Sequence, residues 1–128
     1  VALVRSAPLV LLVNSATPRM LASIPGARHV AVGVQHTLAQ DSRGRVFGWG
    51  SNGNMRLGAG DTIGPGLTTA TAPYATLFTG VLGLAAGSDH TVAISANGSV
   101  VGAGYAWHGQ LGTGGQTSAA TPIAAGTP

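Results

Sequence analysis

Four histidines, three aspartates and six arginines carry the charge and acid–base chemistry of this 128-residue chain, which has no Lys, Glu or Cys. Paired-carboxylate catalysis would have to draw on Asp41, Asp61 and Asp89, which are too few and too scattered to suggest an acid and base pair. His29, His36, His90 and His108 have no carboxylate at ligand spacing, and without thiolates a zinc site lacks its commonest donors. No G-x-S-x-G element marks a nucleophile elbow. We therefore expect no catalytic residue, no metal ligand and no cofactor, and read the chain as a non-enzyme.

Three short motifs offer sharper chemistry. Gly48-Trp49-Gly50-Ser51-Asn52-Gly53 spells G-x-G-x-x-G, but a dinucleotide needs a helix N-terminus just downstream to receive its pyrophosphate. The chain continues instead into the glycine-broken run Asn54-Met55-Arg56-Leu57-Gly58. Gly58-Ala59-Gly60-Asp61 offers a single acid where a calcium repeat needs several. Asn97-Gly98-Ser99 is an N-glycosylation sequon, and Asn-Gly between two alternating runs equally signals a hairpin of type I′.

The elements that hold these residues are set by a repeat. Gly33-Val-Gln-His36-Thr37-Leu-Ala39 returns as Gly87-Ser-Asp-His90-Thr91-Val-Ala93, an offset of 54 residues. The same offset joins Gly44 to Gly98, Val46 to Val100, Gly48 to Gly102, Gly50 to Gly104, Leu57 to Leu111, Gly58 to Gly112 and Gly60 to Gly114. Period-2 alternation predicts strands at 36–40 and 45–49, with His36, Leu38 and Gln40 on one face, and again at 90–95 and 99–104. No segment has a helical period with caps. A repeat of about 50 residues built from short strands is the signature of a propeller blade. The expected fold is all-β, with antiparallel blade-type sheets forming a partial β-propeller of about two blades. Expected limits are a divergent N-terminal strand segment at 1–17, repeat 1 at 18–72 and repeat 2 at 73–128, with an extended loop at 61–72.

The repeat resembles those of the regulator of chromosome condensation family. Gly33, His36, Thr37, Ala39, Gly44, Val46, Trp49, Gly50, Asn52, Leu57, Gly58 and Gly60 match in the first unit, and Gly87, His90, Thr91, Ala93, Gly98, Val100, Gly104, Gly109, Gln110, Leu111, Gly112, Gly114 and Pro122 in the second. The resemblance implies closed propellers of about seven blades, whose members include an exchange factor for a small GTPase, chromatin-binding proteins, a plant light sensor and secreted bacterial proteins. Ala103 departs from the usual Trp, with Trp107 nearby to fill some of its space, and Arg56 replaces the usual Gln. Equivalence in the repeat marks Gly33, His36, Trp49, Gly50, Gly87, His90 and Gly104 as structural positions.

Because a shared fold does not fix function, the functional reading rests on the side chains that do not repeat. The leading expectation is a protein-binding scaffold using the blade loops at 51–55, 61–72 and 105–109. Trp107, Tyr105, His108, Arg56 and Tyr74 are the candidate contacts, since aromatic and Arg side chains dominate interface energies. A GTPase exchange factor and a structural segment of an exported surface protein are the alternatives. A net charge of +3 from scattered arginines argues against specific nucleic-acid binding. No apolar run approaches the ~18 residues of a membrane span; Leu9 to Val13 reads as a buried strand or a signal-peptide remnant. The Gly-, Ala- and Thr-rich, charge-poor composition leans toward an exported protein. Two units leave blade faces and edges open, so further blades or self-association are expected.

Overall fold

The computed structural model describes residues 23–60 and 69–126. The expectations placed on 1–17, on Leu9 to Val13 and on 61–68 lie outside the described residues. Eight strands occur in the order β1 (Ala27–Val32), β2 (His36–Asp41), β3 (Val46–Ser51), β4 (Thr69–Ala75), β5 (Val81–Ala86), β6 (His90–Ser95), β7 (Val100–Gly104) and β8 (Ala119–Ala124). They form two antiparallel four-stranded sheets, β1-β2-β3-β4 and β5-β6-β7-β8. The fold is all-β, two blades of a propeller. β4 begins at Thr69, so residues 69–72 belong to a strand and not to the long loop expected there. Its pairing with β3 explains this: Ser51 sits opposite Thr69, and Gly50 opposite Ala70.

The two central hairpins differ from the turn that Asn-Gly suggested. A type I′ turn needs positive φ at both central residues, but in the second sheet only Gly98 has it, at +84°. The amide of Gly98 donates to Ser95 O at 2.9 Å, and Ser95 N donates to Ser99 O at 2.9 Å. This is a three-residue connection, a type I turn closed by a left-handed glycine bulge. Gly44, at +77°, closes the first hairpin in the same way against Asp41 O. The first hairpin is further tied by Asp41, whose Oδ1 accepts the amides of Arg43 and Arg45 at 2.9 Å and whose Oδ2 meets Arg45 Nε at 2.6 Å. Burial alone would raise the Asp41 pKa, but these amides and the guanidinium outweigh it and hold the carboxyl below its usual range.

Alternation decides which side chains lie between the sheets. His36, Leu38 and Gln40 point from β2 toward the second sheet, where Val81, Thr91, Ala93 and Ala103 receive them. Leu38, Val46, Phe78 and Val81 are fully enclosed in that core, and burial of each stabilises the joint by about 1.5–3 kcal/mol. The other face of the first sheet packs Ala39 and Trp49 with Ile24, Leu57 and Ala59. A smaller cluster of Ala106, Leu111 and Ala119 closes the second sheet.

The space beside Ala103 is not filled by Trp107, which is exposed. Phe78 shares that cluster with Ala103. Phe78 lies one repeat beyond Ile24, just as Ala103 lies one repeat beyond Trp49. The two blades thus exchange the large and small member of one pair: Ile24 with Trp49, Phe78 with Ala103.

Candidate protein-binding surface and the joint beneath it

The loop after β7 gathers three of the expected contact residues. The rings of Tyr105 and Trp107 stack with centroids 5.9 Å apart and planes 24° apart, and His108 tilts against Tyr105 at 5.9 Å. Trp107 is 65% exposed. The loop beneath is pinned at several points. Tyr105 N donates to Asp89 O at 2.9 Å, Ala106 N to Ser118 Oγ at 3.2 Å, His108 N to Gln110 Oε1 at 2.9 Å and Gly109 N to Ala106 O at 2.8 Å. Ala106 is fully buried against Leu111 and Ala119. The result is a rigid aromatic platform in water, and large apolar side chains held in place lose little entropy on binding.

Tyr74 lies apart on β4, opposite Gly48 and about one-third exposed. Arg56 is not at the surface: it is 5% exposed and works between the blades. Its Nη2 pairs with Asp89 Oδ1 at 2.7 Å, Nη1 donates to Ser88 O at 3.2 Å and Gln35 Oε1 at 3.4 Å, and Nε donates to Gly53 O at 2.8 Å. Guanidinium geometry, with five donors in a fork, suits this role where the shorter Gln of other repeats would not reach as many acceptors. Asp89 therefore receives Arg56 on its carboxylate and Tyr105 on its carbonyl, so Arg56 braces the aromatic platform through it. The Asp89 carboxyl is held below its usual pKa chiefly by the Ser88 hydroxyl, against the opposing effect of burial, with help from Asn54 and Arg56.

The loop at 51–55 forms a three-residue 3-10 turn, Gly53–Met55, not a helix that could receive a pyrophosphate. Asn54 and Met55 both adopt positive φ, 61° and 62°, and the amide of Leu57 donating to Asn52 Oδ1 at 3.1 Å secures the loop.

Of the repeat positions, His36 sits at the centre of the joint. It is 2% exposed, and its Nε2 lies 3.0 Å from Thr91 Oγ1. Thr91 spends its single hydroxyl hydrogen on Arg56 O at 2.8 Å, so Nε2 must carry the proton and donate. Nδ1 then holds a lone pair that is buried and has no partner. Protonating it would enclose an unpaired N–H, which is costly. Burial first, then the nearby Arg56 and His90, push the His36 pKa from 6.5 down to about 4, with Asp89 opposing. Gly33 and Gly87 lie where a Cβ would strike the imidazoles of His36 and His90 respectively. Gly50 and Gly104, at φ +96° and +108°, leave room for the carbonyls of Gln35 and Asp89. Trp49 is buried in the first sheet's outer cluster.

Sequence reasoning missed Thr91 and Asp89 as the partners of His36 and Arg56. Adjacent strand residues point to opposite faces, so in each His-Thr pair the His faces one neighbour and the Thr the other. That alternation was the available signal.

The repeat described as the regulator of chromosome condensation (RCC1) repeat matches twice, at residues 27–54 and 43–94. The chain is 34% identical over 110 residues to the ultraviolet-B receptor UVR8 of Arabidopsis thaliana, covering 83% of this chain and 24% of the receptor. It is 37% identical over 87 residues to protein RCC2 of Mus musculus, covering 66% of this chain and 16% of that protein. The chain thus spans about a quarter or less of the length of these relatives. Among solved structures, Prp20p from Saccharomyces cerevisiae, studied for its binding to Gsp1p and histones, superimposes with a TM-score of 0.77 at 22% identity, covering 86% of this chain and 28% of Prp20p. Human WBSCR16 superimposes with a TM-score of 0.71 at 25% identity, covering 86% of this chain and 28% of that one.

Proposed function

Because this chain belongs to the regulator of chromosome condensation repeat family, we propose that it serves as a protein-interaction module, not an enzyme, and that it engages its partner through the aromatic platform of Tyr105, Trp107 and His108. Sequence repeats at 18–72 and 73–128, preceded by a divergent segment at 1–17, are the units we assign to it. The observation that carries the reading is Trp107, exposed and stacked on Tyr105 in a loop anchored from below. Exposed aromatic side chains on a rigid support are the usual anchors of a binding hot spot. Tyr74 contributes at a separate edge, and Arg56 acts from beneath by fixing Asp89.

The chain contains two tryptophans, and Trp49 is buried while Trp107 is not. Emission from Trp107 therefore reports on the platform. Prp20p binds Gsp1p and histones, so these are the first proteins to titrate. Binding that shifts Trp107 emission, and that weakens at least about tenfold in Trp107→Ala, as removal of a hot-spot side chain should, supports the reading. Binding of equal strength in Trp107→Ala, with its melting temperature unchanged, would place the contact elsewhere and overturn it.

A further inference from the structure

Strand direction separates the aromatic platform from the arginines of the first sheet. The loop at 105–109 follows β7, whereas the turn at 42–44 precedes β3, the counterpart of β7, so the two lie at opposite ends of the blades. At the second end, strand pairing gathers three arginines that are scattered in the sequence. Ala27 pairs with Asp41 and His29 with Gln40, which leaves Arg28 as the extra residue of a β-bulge, and a bulge re-aims a side chain out of the regular ladder. Arg43 occupies the turn and Arg45 precedes β3. All three are exposed. They border two adjoining depressions, one of about 260 Å³ beside Arg28, His29 and Arg43 and one of about 240 Å³ beside Arg43 and Arg45.

We infer that this end of the joint binds an acidic segment of a protein partner, one that sets an apolar side chain beside its carboxylates. The balance of charge calls for an anion. Among the described residues, Asp41 is the one carboxylate lining either depression. It is 1% exposed and already committed to the amides of Arg43 and Arg45 and to Arg45 Nε. Arg28 and Arg43 make no ion pair among the described residues, so two guanidinium groups stay uncompensated in water. Guanidinium forks take carboxylates through paired hydrogen bonds, and clusters of Arg recognise acidic motifs.

The repeat shows that the blade does not need these cations. The bulge recurs in the second sheet, where Val81 pairs with Ser95 and Gly83 with Ile94, but its extra residue is Leu82. The same offset turns His29 into Gly83, Arg43 into Asn97 and Arg45 into Ser99. Leu82 is 60% exposed and lines the larger depression together with Val81 and Ala96. The first sheet thus supplies a cationic wall and the second an apolar one. A phosphate backbone offers Leu82 nothing apolar, whereas a peptide can place a carboxylate on Arg28 and a neighbouring aliphatic side chain on Leu82. Buried Gln40 lines the same depression. Its Nε2 donates to Val81 O at 2.5 Å and its Oε1 has no partner, an acceptor that a peptide N–H would satisfy. Ile94 stands at its place in the second blade, so this polar group too is particular to the joint.

This surface is distinct from the aromatic platform, and its test uses a probe other than Trp107 emission. A fluorescein-labelled peptide of alternating Glu and Leu is titrated with the whole chain at low salt, and its anisotropy is followed up to about 1 mM protein, the weak limit of specific affinity. The peptide should bind saturably and its Gln-for-Glu counterpart should not, and added salt should weaken the binding because the guanidinium groups are exposed. Arg28→Ala combined with Arg43→Ala should weaken it at least about tenfold, since each change removes a charge-assisted hydrogen-bonding group. Leu82→Ala should weaken it severalfold. All three positions are exposed, so the melting temperatures should stay close to that of the wild type. The inference is overturned if the acidic peptide fails to saturate, if the Gln peptide binds equally well, or if the arginine pair can be removed without loss. It is also overturned if a duplex DNA oligonucleotide binds more tightly than the peptide, which would make the cluster a contact for phosphate backbone. The Gln-peptide and DNA arms use the unaltered chain, so they decide the matter whether or not a variant folds.

Discussion

Acidification is the perturbation that reads the His36 site most directly. In the folded chain Nδ1 is buried without a partner and the pKa is lowered from 6.5 to about 4. An unfolded chain takes up a proton on this residue below pH 6.5; the folded chain refuses it until about pH 4. Stability is therefore fully present above pH 6.5, falls as pH drops toward 4 and levels off below. Each unit of pKa difference is worth about 1.4 kcal/mol, so the complete gap is worth about 3–3.5 kcal/mol. Asp41 and Asp89 do not confuse this window. Their lowered pKa values stabilise the fold above the usual carboxylate range, and that contribution is lost only as pH falls below 3.8. The assay is urea unfolding at pH 7, 6, 5 and 4.5 for the wild type and for His36→Gln, which keeps an N–H for Thr91 but cannot titrate. The variant will be less stable at pH 7, and the gap should narrow steadily toward pH 4.5. Parallel curves would show that His36 takes its proton equally well folded and unfolded, and the assigned tautomer would be wrong.

Two further substitutions test the packing. Ala103→Trp restores the residue common in the family, but here it collides with Phe78, and overpacking should cost about 1–3 kcal/mol. Adding Phe78→Ile copies the Ile24 and Trp49 pair and should recover most of that loss, which a double-mutant cycle in urea measures as coupling. Gly104→Ala places a Cβ 2.4 Å from Asp89 O at a φ of +108°. It should lower stability by more than about 1 kcal/mol and lower the melting temperature by several degrees.

The blades were legible in the sequence because the repeat and the strand alternation are local properties. His36, Leu38 and Gln40 declared their shared face, and the glycine after each central turn declared the hairpin. The turn type was less legible. Asn97-Gly98 permits both a two-residue and a three-residue connection, and the choice depends on the register of Ser95 with Ser99. Arg56 was misjudged because an Arg in a polar loop looks the same whether it meets solvent or the distant Asp89 carboxylate of the next repeat. The exchange between Phe78 and Ala103 was hidden for a related reason. Compensation of volume occurs across the joint, and no spacing within one unit records it. The aromatic platform was visible as Tyr105, Trp107 and His108 in one loop, but its rigidity depends on Asp89 and Ser118, which come from elsewhere in the blade.

The order of strands in each sheet has a kinetic consequence. Every hydrogen-bonded neighbour is also the next strand in the chain, and the connections β1–β2, β2–β3, β5–β6 and β6–β7 span only three or four residues, whereas His36 and Thr91 are 55 residues apart. Short loops close at smaller entropic cost and form earlier. The hairpins β2-β3 and β6-β7 are then the natural nuclei, and the joint assembles after the transition state. Substitutions at His36 or Thr91 should accelerate unfolding and leave the refolding rate nearly unchanged, whereas substitutions at Gly44 or Gly98 should slow refolding.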